Sequence, residues 1–250
     1  MKSVKDTLLE RRSIRRYERE AISEGNMELI YDAIRNTPTS YNGQQFSVID
    51  VSDQELKEKI YDLTGAKQIK TCNRFLIFLA DYNKISLLAE DQNITMPDFN
   101  NTVDGLIVGV VDATLAMMSA LTMAESLGLG TCPIGYARTA APEALSNLLK
   151  LPQKTFVVCG LAIGVPREMP DLKPKQPASL MIHKDCYRSD EAAMVKELND
   201  YNIVVTEYNR TRAGEKSIND WVAHIVSYYD EAMSYHMLRA LRRRGFDLHK

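Results

Sequence analysis

A chain of 250 residues with 45 % hydrophobic content is long enough for one compact domain or two small ones, and apolar enough for a real core. Its net charge of −2 leaves no electrostatic footprint for nucleic acid, and the late cluster Arg239, Arg242, Arg243 and Arg244 before Gly245 reads as a glycine-capped helix C-terminus. Cys72, Cys132, Cys159 and Cys186 are widely separated, with no Cys-x-x-Cys pair and no histidine at ligand spacing, which argues against a metal site and fits reduced thiols in a cytoplasmic protein.

MKSVKDTLLERR lacks the apolar core of a signal peptide, and residues 2–10 read as a short helix with Val4 and Leu8 on one face. Ser23 is a good N-cap for a second helix that turns Met27, Ile30 and Ile34 inward and ends before Thr37-Pro38. Phe46 to Val51 predicts a strand and Gln54 to Leu63 a polar helix. The run Phe75 to Ala80 is too continuously apolar for an edge and predicts a buried central strand.

A long helix follows over Asp104 to Leu127. Gly105 to Leu127 is the nearest approach to a membrane span, but Asp112 and Glu125 would be costly in lipid, so a buried helix and no membrane partner are expected. Ala113, Ala116, Ala120 and Ala124 form one stripe, and apolar residues occupy much of the remaining circumference. Such a helix is about 35 Å long. Sharing it between two subunits, with the alanine stripe in a close helix contact, would account for its length and burial.

Gly128 and Gly130 stop this helix, and Thr131 to Ile134 predicts a strand. Pro142 opens a short helix ending near Leu149, Thr155 to Gly164 is another buried strand, and Val165 to Ala178 is an irregular loop with four prolines. Residues 190–250 are polar and mostly helical, with Tyr201, Tyr208, Trp221, Tyr228 and Tyr229 as aromatic anchors. The whole, 1–250, is expected to be a single domain of α+β or α/β class with a helical C-terminal extension.

Four segments carry chemistry. In Arg11-Arg-Ser-Ile-Arg-Arg-Tyr17, an extended backbone places Arg11, Ser13 and Arg15 on one side and turns Ile14 into a core. Rigid guanidinium forks beside a hydroxyl suit a phosphate and a second electron-rich group. Thr37-Pro-Thr-Ser-Tyr-Asn-Gly-Gln44 concentrates hydroxyls and amides between a helix and a strand. Gly128-Leu-Gly-Thr-Cys-Pro-Ile-Gly135 is not a dinucleotide loop, because the helix precedes the glycines and the strand follows. Its backbone can still approach a planar ring. In Asp171-Leu-Lys-Pro-Lys175, the proline keeps the chain extended, so Lys173 and Lys175 point the same way as paired cations.

Together these segments resemble the nitroreductase family of flavin-dependent oxidoreductases, and most nearly its oxygen-insensitive NADPH nitroreductase and flavin reductase branch. RRSIR at 11–15, TPTSYNGQ at 37–44, the run at 109–135 and GLAIGVPREMPDLKPKQPAS at 160–179 occur in order and at the family's spacing. The resemblance implies an α+β fold with a central, mostly antiparallel sheet flanked by helices and a long helix at a homodimer interface. It also implies one FMN per subunit, NADPH or NADH as cosubstrate, small-molecule electron acceptors and a ping-pong cycle.

Carried over by position, Arg11, Ser13, Lys173 and Lys175 would surround the phosphate, and Arg12 joins them in the cofactor-binding set. Arg15 falls at the N1–C2 edge of the isoalloxazine, Thr39 and Asn42 at the ribityl or ring edges, and Pro133, Ile134, Gly135 and Tyr136 along the ring. A fixed cation at the N1–C2 edge stabilises the negative charge that gathers there when hydride reaches N5. No general base or nucleophile is required, in keeping with four unclustered histidines, His183, His224, His236 and His249. Three positions depart from the family pattern. Lys173-Pro-Lys175 replaces the usual Lys-Pro-Arg, and both Lys67 and Gln68 compete for the place of a ring-contacting Gln after Thr64-Gly65. Of the two arginines that bind a 2′-phosphate ahead of a Trp, Arg212 matches the first, while Ser217, beside Lys216, stands at the second. Alternatives are a dedicated flavin reductase and a non-catalytic flavin-binding protein.

Overall fold

Every residue from Phe75 to Asp81 is buried, so this strand is the spine of the sheet. The computed structural model describes residues 1–213, 216, 217 and 220–249; the remaining five fall within the expected helical extension and lie outside the described residues. The chain divides into two compact units, Met1–Met169 with His236–Lys250, and Pro170–Tyr235.

In the first unit the elements run α1 (Val4–Glu10), α2 (Glu24–Arg35), β1 (Phe46–Val51), α3 (Gln54–Thr64), α4 (Lys67–Thr71), β2 (Arg74–Asp81), α5 (Asn83–Asp91), α6 (Val103–Ser126), β3 (Gly130–Ile134), α7 (Tyr136–Thr139), α8 (Pro142–Leu148) and β4 (Thr155–Gly164). The four strands form one antiparallel sheet in the order β1-β2-β4-β3. Side chains alternate across β2: Leu76, Phe78 and Ala80 join a core with α2 and α6, while Phe75, Ile77 and Leu79 join a second core with residues of α3, α4 and α8. Two buried faces explain why the run reads as continuously apolar.

The caps stand where the sequence puts them. Ser23 accepts from the Asn26 amide, Asn36 closes α2 before Thr37, and Pro142 occupies the first turn of α8. Val4 and Leu8 share a face of α1, as the sequence suggests, and that face is exposed; Thr7, whose Oγ1 donates to Ser3 O at 2.8 Å, is the buried residue. One expectation changes. The alanine stripe of α6 is fully buried in its own chain's core, facing β2, β4 and α2, and is not a subunit contact. Val103, Ile107, Val111, Leu115 and Met118 are the exposed apolar side chains of that helix.

In the second unit come α9 (Ala178–Met181), α10 (Glu191–Thr211) and α11 (Trp221–Ala232). Trp221 packs edge-on against Tyr201 at 5.4 Å, and Asn202 Oδ1 accepts from the Trp221 and Val222 amides at 2.8 and 3.2 Å. The final helix, α12 (Met237–Arg243), returns to the first unit. Gly245, at φ +82°, turns the chain so that Phe246 is buried against Phe156 and Tyr82. Arg244 donates to Leu151 O at 2.7 Å and Thr155 O at 3.1 Å, so the late basic cluster secures this helix end.

Candidate functional site

The arginine loop is strapped to the edge of the sheet. The Ile14 amide donates to Thr131 O on β3 at 2.8 Å, and Ser13 bridges Thr131 in parallel register. Ile14 is 4 % exposed and turned into the core, as alternation requires. Three residues on, the Tyr17 hydroxyl donates back to Ile14 O at 2.6 Å, and Tyr17 bridges Pro166 beyond β4. Glu168 completes the strap: one carboxylate oxygen accepts the Arg15 amide at 2.7 Å and the Arg16 amide at 3.2 Å.

With the backbone held, Arg11 and Arg15 both reach Ser13. Arg11 donates to Ser13 Oγ at 3.4 Å, and Arg15 to Ser13 O at 3.4 Å. Among the described residues, the buried Nε atoms of Arg11 and Arg12 find no hydrogen-bond acceptor. Beneath them, burial pushes the Cys132 thiol pKa up, while Arg15 and Arg11 beside it pull the other way. Burial likewise raises the Glu125 carboxyl, opposed by the Thr131 hydroxyl bonded to it at 2.6 Å and by Arg11. From Cys132 the strand runs straight into Pro133, which is exposed on an edge where a missing N–H is tolerated, then Ile134, Gly135 and Tyr136. A β-carbon on Gly135 would meet nothing, so the backbone there borders open space.

The hydroxyl and amide loop forms a second cluster, anchored on α6. The fully buried Asp112 accepts the Ser40 amide at 3.0 Å and the Gln45 amide at 3.4 Å. Thr37 donates to Ser119 at 2.8 Å, and Thr39 Oγ1 accepts the Gln44 amide at 3.2 Å. Between these ties Tyr41, Asn42 and Gln44 adopt φ values of 51°, 56° and 53°, a left-handed conformation that costs non-glycine residues energy. Asn42 is exposed at the tip. Lys67 and Gln68 open α4, Lys67 exposed and Gln68 half-buried.

Lys173, Lys175, Arg212 and Lys216 belong to the second unit. Both lysines of the Asp171–Lys175 segment are exposed, and that segment lies along α10. Tyr201 donates to Pro174 O and Tyr208 to Asp171 O, each at 3.3 Å, and Asp171 accepts the Ala213 amide at 2.9 Å. The Arg212 guanidinium stands 6.0 Å from the Tyr208 ring, and the Ser217 amide donates to Asn209 O at 3.0 Å. Among the described residues no group of three or more His, Cys, Asp or Glu could hold a metal.

Residues 8–165 match the Nitroreductase family, and residues 173–249 match its C-terminal domain. This chain belongs to the nitroreductase family. Among nitroreductase relatives, it is 35 % identical to an FMN reductase [NAD(P)H] of Bacillus subtilis (strain 168), with 100 % of both chains covered. It is also 35 % identical to an oxygen-insensitive NADPH nitroreductase of Salmonella typhimurium, covering 86 % of this chain and 85 % of the relative. The solved structure of the hypothetical oxidoreductase YcnD from Bacillus subtilis superposes with a TM-score of 0.94 at 35 % identity, with full coverage of both chains.

Three residues outside the expected set shape the site of this nitroreductase. Glu168 holds the arginine loop, yet a single acid among prolines gives no signal. Thr131 supplies the carbonyl that registers Ile14, a backbone role any residue could fill. Asp112 did leave a trace, as a carboxylate in an otherwise apolar helix, since a buried charge needs partners.

Proposed function

We propose that this nitroreductase is an FMN-dependent NAD(P)H oxidoreductase that reduces nitroaromatics, quinones or flavins in two-electron steps, NAD(P)H and acceptor taking turns at one site. The observation that carries the reading is the arginine loop: two buried guanidinium nitrogens without acceptors, held beside a sheet edge. Buried donors call for partners, and a phosphate supplies several acceptor oxygens at once. The residues present therefore fit FMN. The names of the relatives agree, one an FMN reductase and the other an NADPH nitroreductase.

Bound FMN supplies the two-electron redox chemistry. The chain's own residues bind, orient and polarise. Arg11, Arg12 and Ser13, with Lys173 and Lys175, are assigned to the phosphate. Arg15 is assigned to the ring edge where negative charge gathers, its backbone fixed by Glu168 whatever its side chain does. Thr39 and Asn42 are assigned to the ribityl or ring edges, Lys67 or Gln68 to a polar ring contact, and Pro133 to Tyr136 to the plane of the ring. Arg212 and Lys216 are assigned to a 2′-phosphate, which makes NADPH the preferred nucleotide. On this reading residues 1–250 act as one FMN-binding domain, in the cytoplasm.

A homodimer is part of the proposal. An apolar groove of about 490 Å3 is lined by residues of α1 and α6, among them Val4, Leu115 and Met118. With the other exposed apolar residues of α6 it continues the length of the helix, a surface fit for a second copy of the chain. Anaerobic addition of NADPH to the purified protein tests the reading: a bound-flavin spectrum that bleaches supports it, and flavin that stays oxidised favours a binding protein. The FMN reductase relative favours a second reading, with free FMN as the physiological acceptor. Turnover with FMN exceeding that with nitro compounds would select it.

A further inference from the structure

Beyond Tyr17, the last residue of the arginine loop, a cleft of about 1150 Å3 lies between the start of α3, the end of α4 and residues 17–24, and none of the proposed FMN contacts lines it. Five cations border it, Arg19, Lys57, Lys70, Arg74 and Arg167, against two carboxylates, Glu18 and Glu24. Both carboxylates are engaged. Glu24 pairs with Arg74 at 3.2 Å, and Glu18 with Arg167 at 4.0 Å. Arg19, Lys57 and Lys70 have no ion-pair partner among the described residues.

Lys57 is the built part of this cleft. It is only 5 % exposed, and its Nζ donates to Cys72 O, the carbonyl that ends α4, at 2.7 Å. An ammonium has three donors, and one neutral carbonyl satisfies one of them without balancing the charge. A buried charge without a counter-charge is costly, so the remaining donors call for an anion or water. The start of α3 lies at the same cleft, where Ser52 and Gln54 line it; its own N-cap, Asp53, already accepts the Leu56 amide, so the cleft's cations and not the helix end carry the positive charge.

We propose that this cleft is a second ligand site, independent of the flavin, that takes a phosphorylated small molecule with its phosphate on Lys57, Lys70 and Arg19. An ammonium and a guanidinium fork together suit a dianionic phosphate. The cleft is somewhat larger than ordinary ligand pockets and far larger than inorganic phosphate requires, so the ligand carries an organic body.

The test is calorimetric titration of FMN-saturated wild-type protein with inorganic phosphate at constant ionic strength set with chloride. Saturable binding is expected, with Lys57→Met weakening it about tenfold or more, the loss expected for a charge-assisted hydrogen bond. Turnover without phosphate should be unchanged. Phosphate held at a nucleotide site would contribute equally to both proteins, so only the difference reports this cleft. If Lys57→Met does not fold, the double variant Arg19→Ala/Lys70→Ala must show the same weakening. Absence of saturable binding, or equal affinity in wild type and the folded variant, overturns the proposal.

Discussion

The side chain of Ile14 occupies the space where a β-carbon on Gly130 would stand: such an atom would lie 2.8 to 2.9 Å from three Ile14 carbons. Glycine at the start of β3 is therefore what lets the arginine loop dock. Gly130→Ala should force Ile14 out and cost roughly 1–3 kcal/mol, as overpacking does. Gly135→Ala, whose added carbon meets nothing, is the control. Thermal unfolding and FMN retention measure both. Gly130→Ala should lower the two together, and an unchanged loop in that variant would remove the steric argument.

Asp112 holds three strained residues in place, so its removal should release the loop that carries Thr39 and Asn42. Hydrogen bonds to a charged group are worth roughly 1.5–3 kcal/mol. Asp112→Ala should lower the melting temperature and weaken FMN binding, whereas exposed Asn42→Ala should weaken binding alone. Apoprotein melting with FMN titration separates the two variants. Equal melting temperatures for Asp112→Ala and wild type would show that the loop does not depend on this carboxylate.

The dimer expectation now attaches to a different face of α6. Val111→Asp or Leu115→Arg alters exposed side chains, and each should halve the sedimenting mass while leaving the monomer folded. Ala116→Arg or Ala120→Arg puts a charge into the chain's own core and should prevent folding. Sedimentation and circular dichroism distinguish the outcomes. Dimers persisting in both surface variants would place the interface elsewhere.

The proposed 2′-phosphate contact is Arg212, which stands half-buried over Tyr208, with Ser217 at the position proposed for a second cation. One charge-assisted fork should favour NADPH about ten- to a hundred-fold in kcat/KM. Arg212→Ala should nearly erase that preference by slowing NADPH alone, and Ser217→Arg should widen it. Equal impairment of NADH and NADPH by Arg212→Ala would assign this segment to folding.

Much of the scaffold was legible because local chemistry decided it: Ser23 and Pro142 mark helix starts, Gly245 marks a helix end, and the run 75–80 can only be a doubly buried strand. Alternation placed Ile14 in the core and its neighbours outside. The facing of α6 was not legible, because a helix apolar on nearly every side offers no polar face to orient it. Small alanines against the sheet look the same in sequence as small alanines against a partner. Glu168 and Thr131 act through contacts between segments far apart in the chain, which one sequence does not record. Lys57, read only as part of a polar helix, is hidden because a buried lysine and a solvated one share the same letter.

On the proposed function the arginine loop serves the flavin, with Arg15 at its charge-accumulating edge. Glu168 holds the Arg15 backbone, so Arg15→Ala removes the cation and leaves the loop docked. Losing such a donor costs about 3 kcal/mol at a transition state. Rapid-mixing reduction by NADPH at saturating FMN, in wild type and Arg15→Ala, measures this directly. Flavin reduction in the variant should be slowed about a hundred-fold, with a much smaller loss of FMN affinity. A variant reduced at the wild-type rate would contradict it.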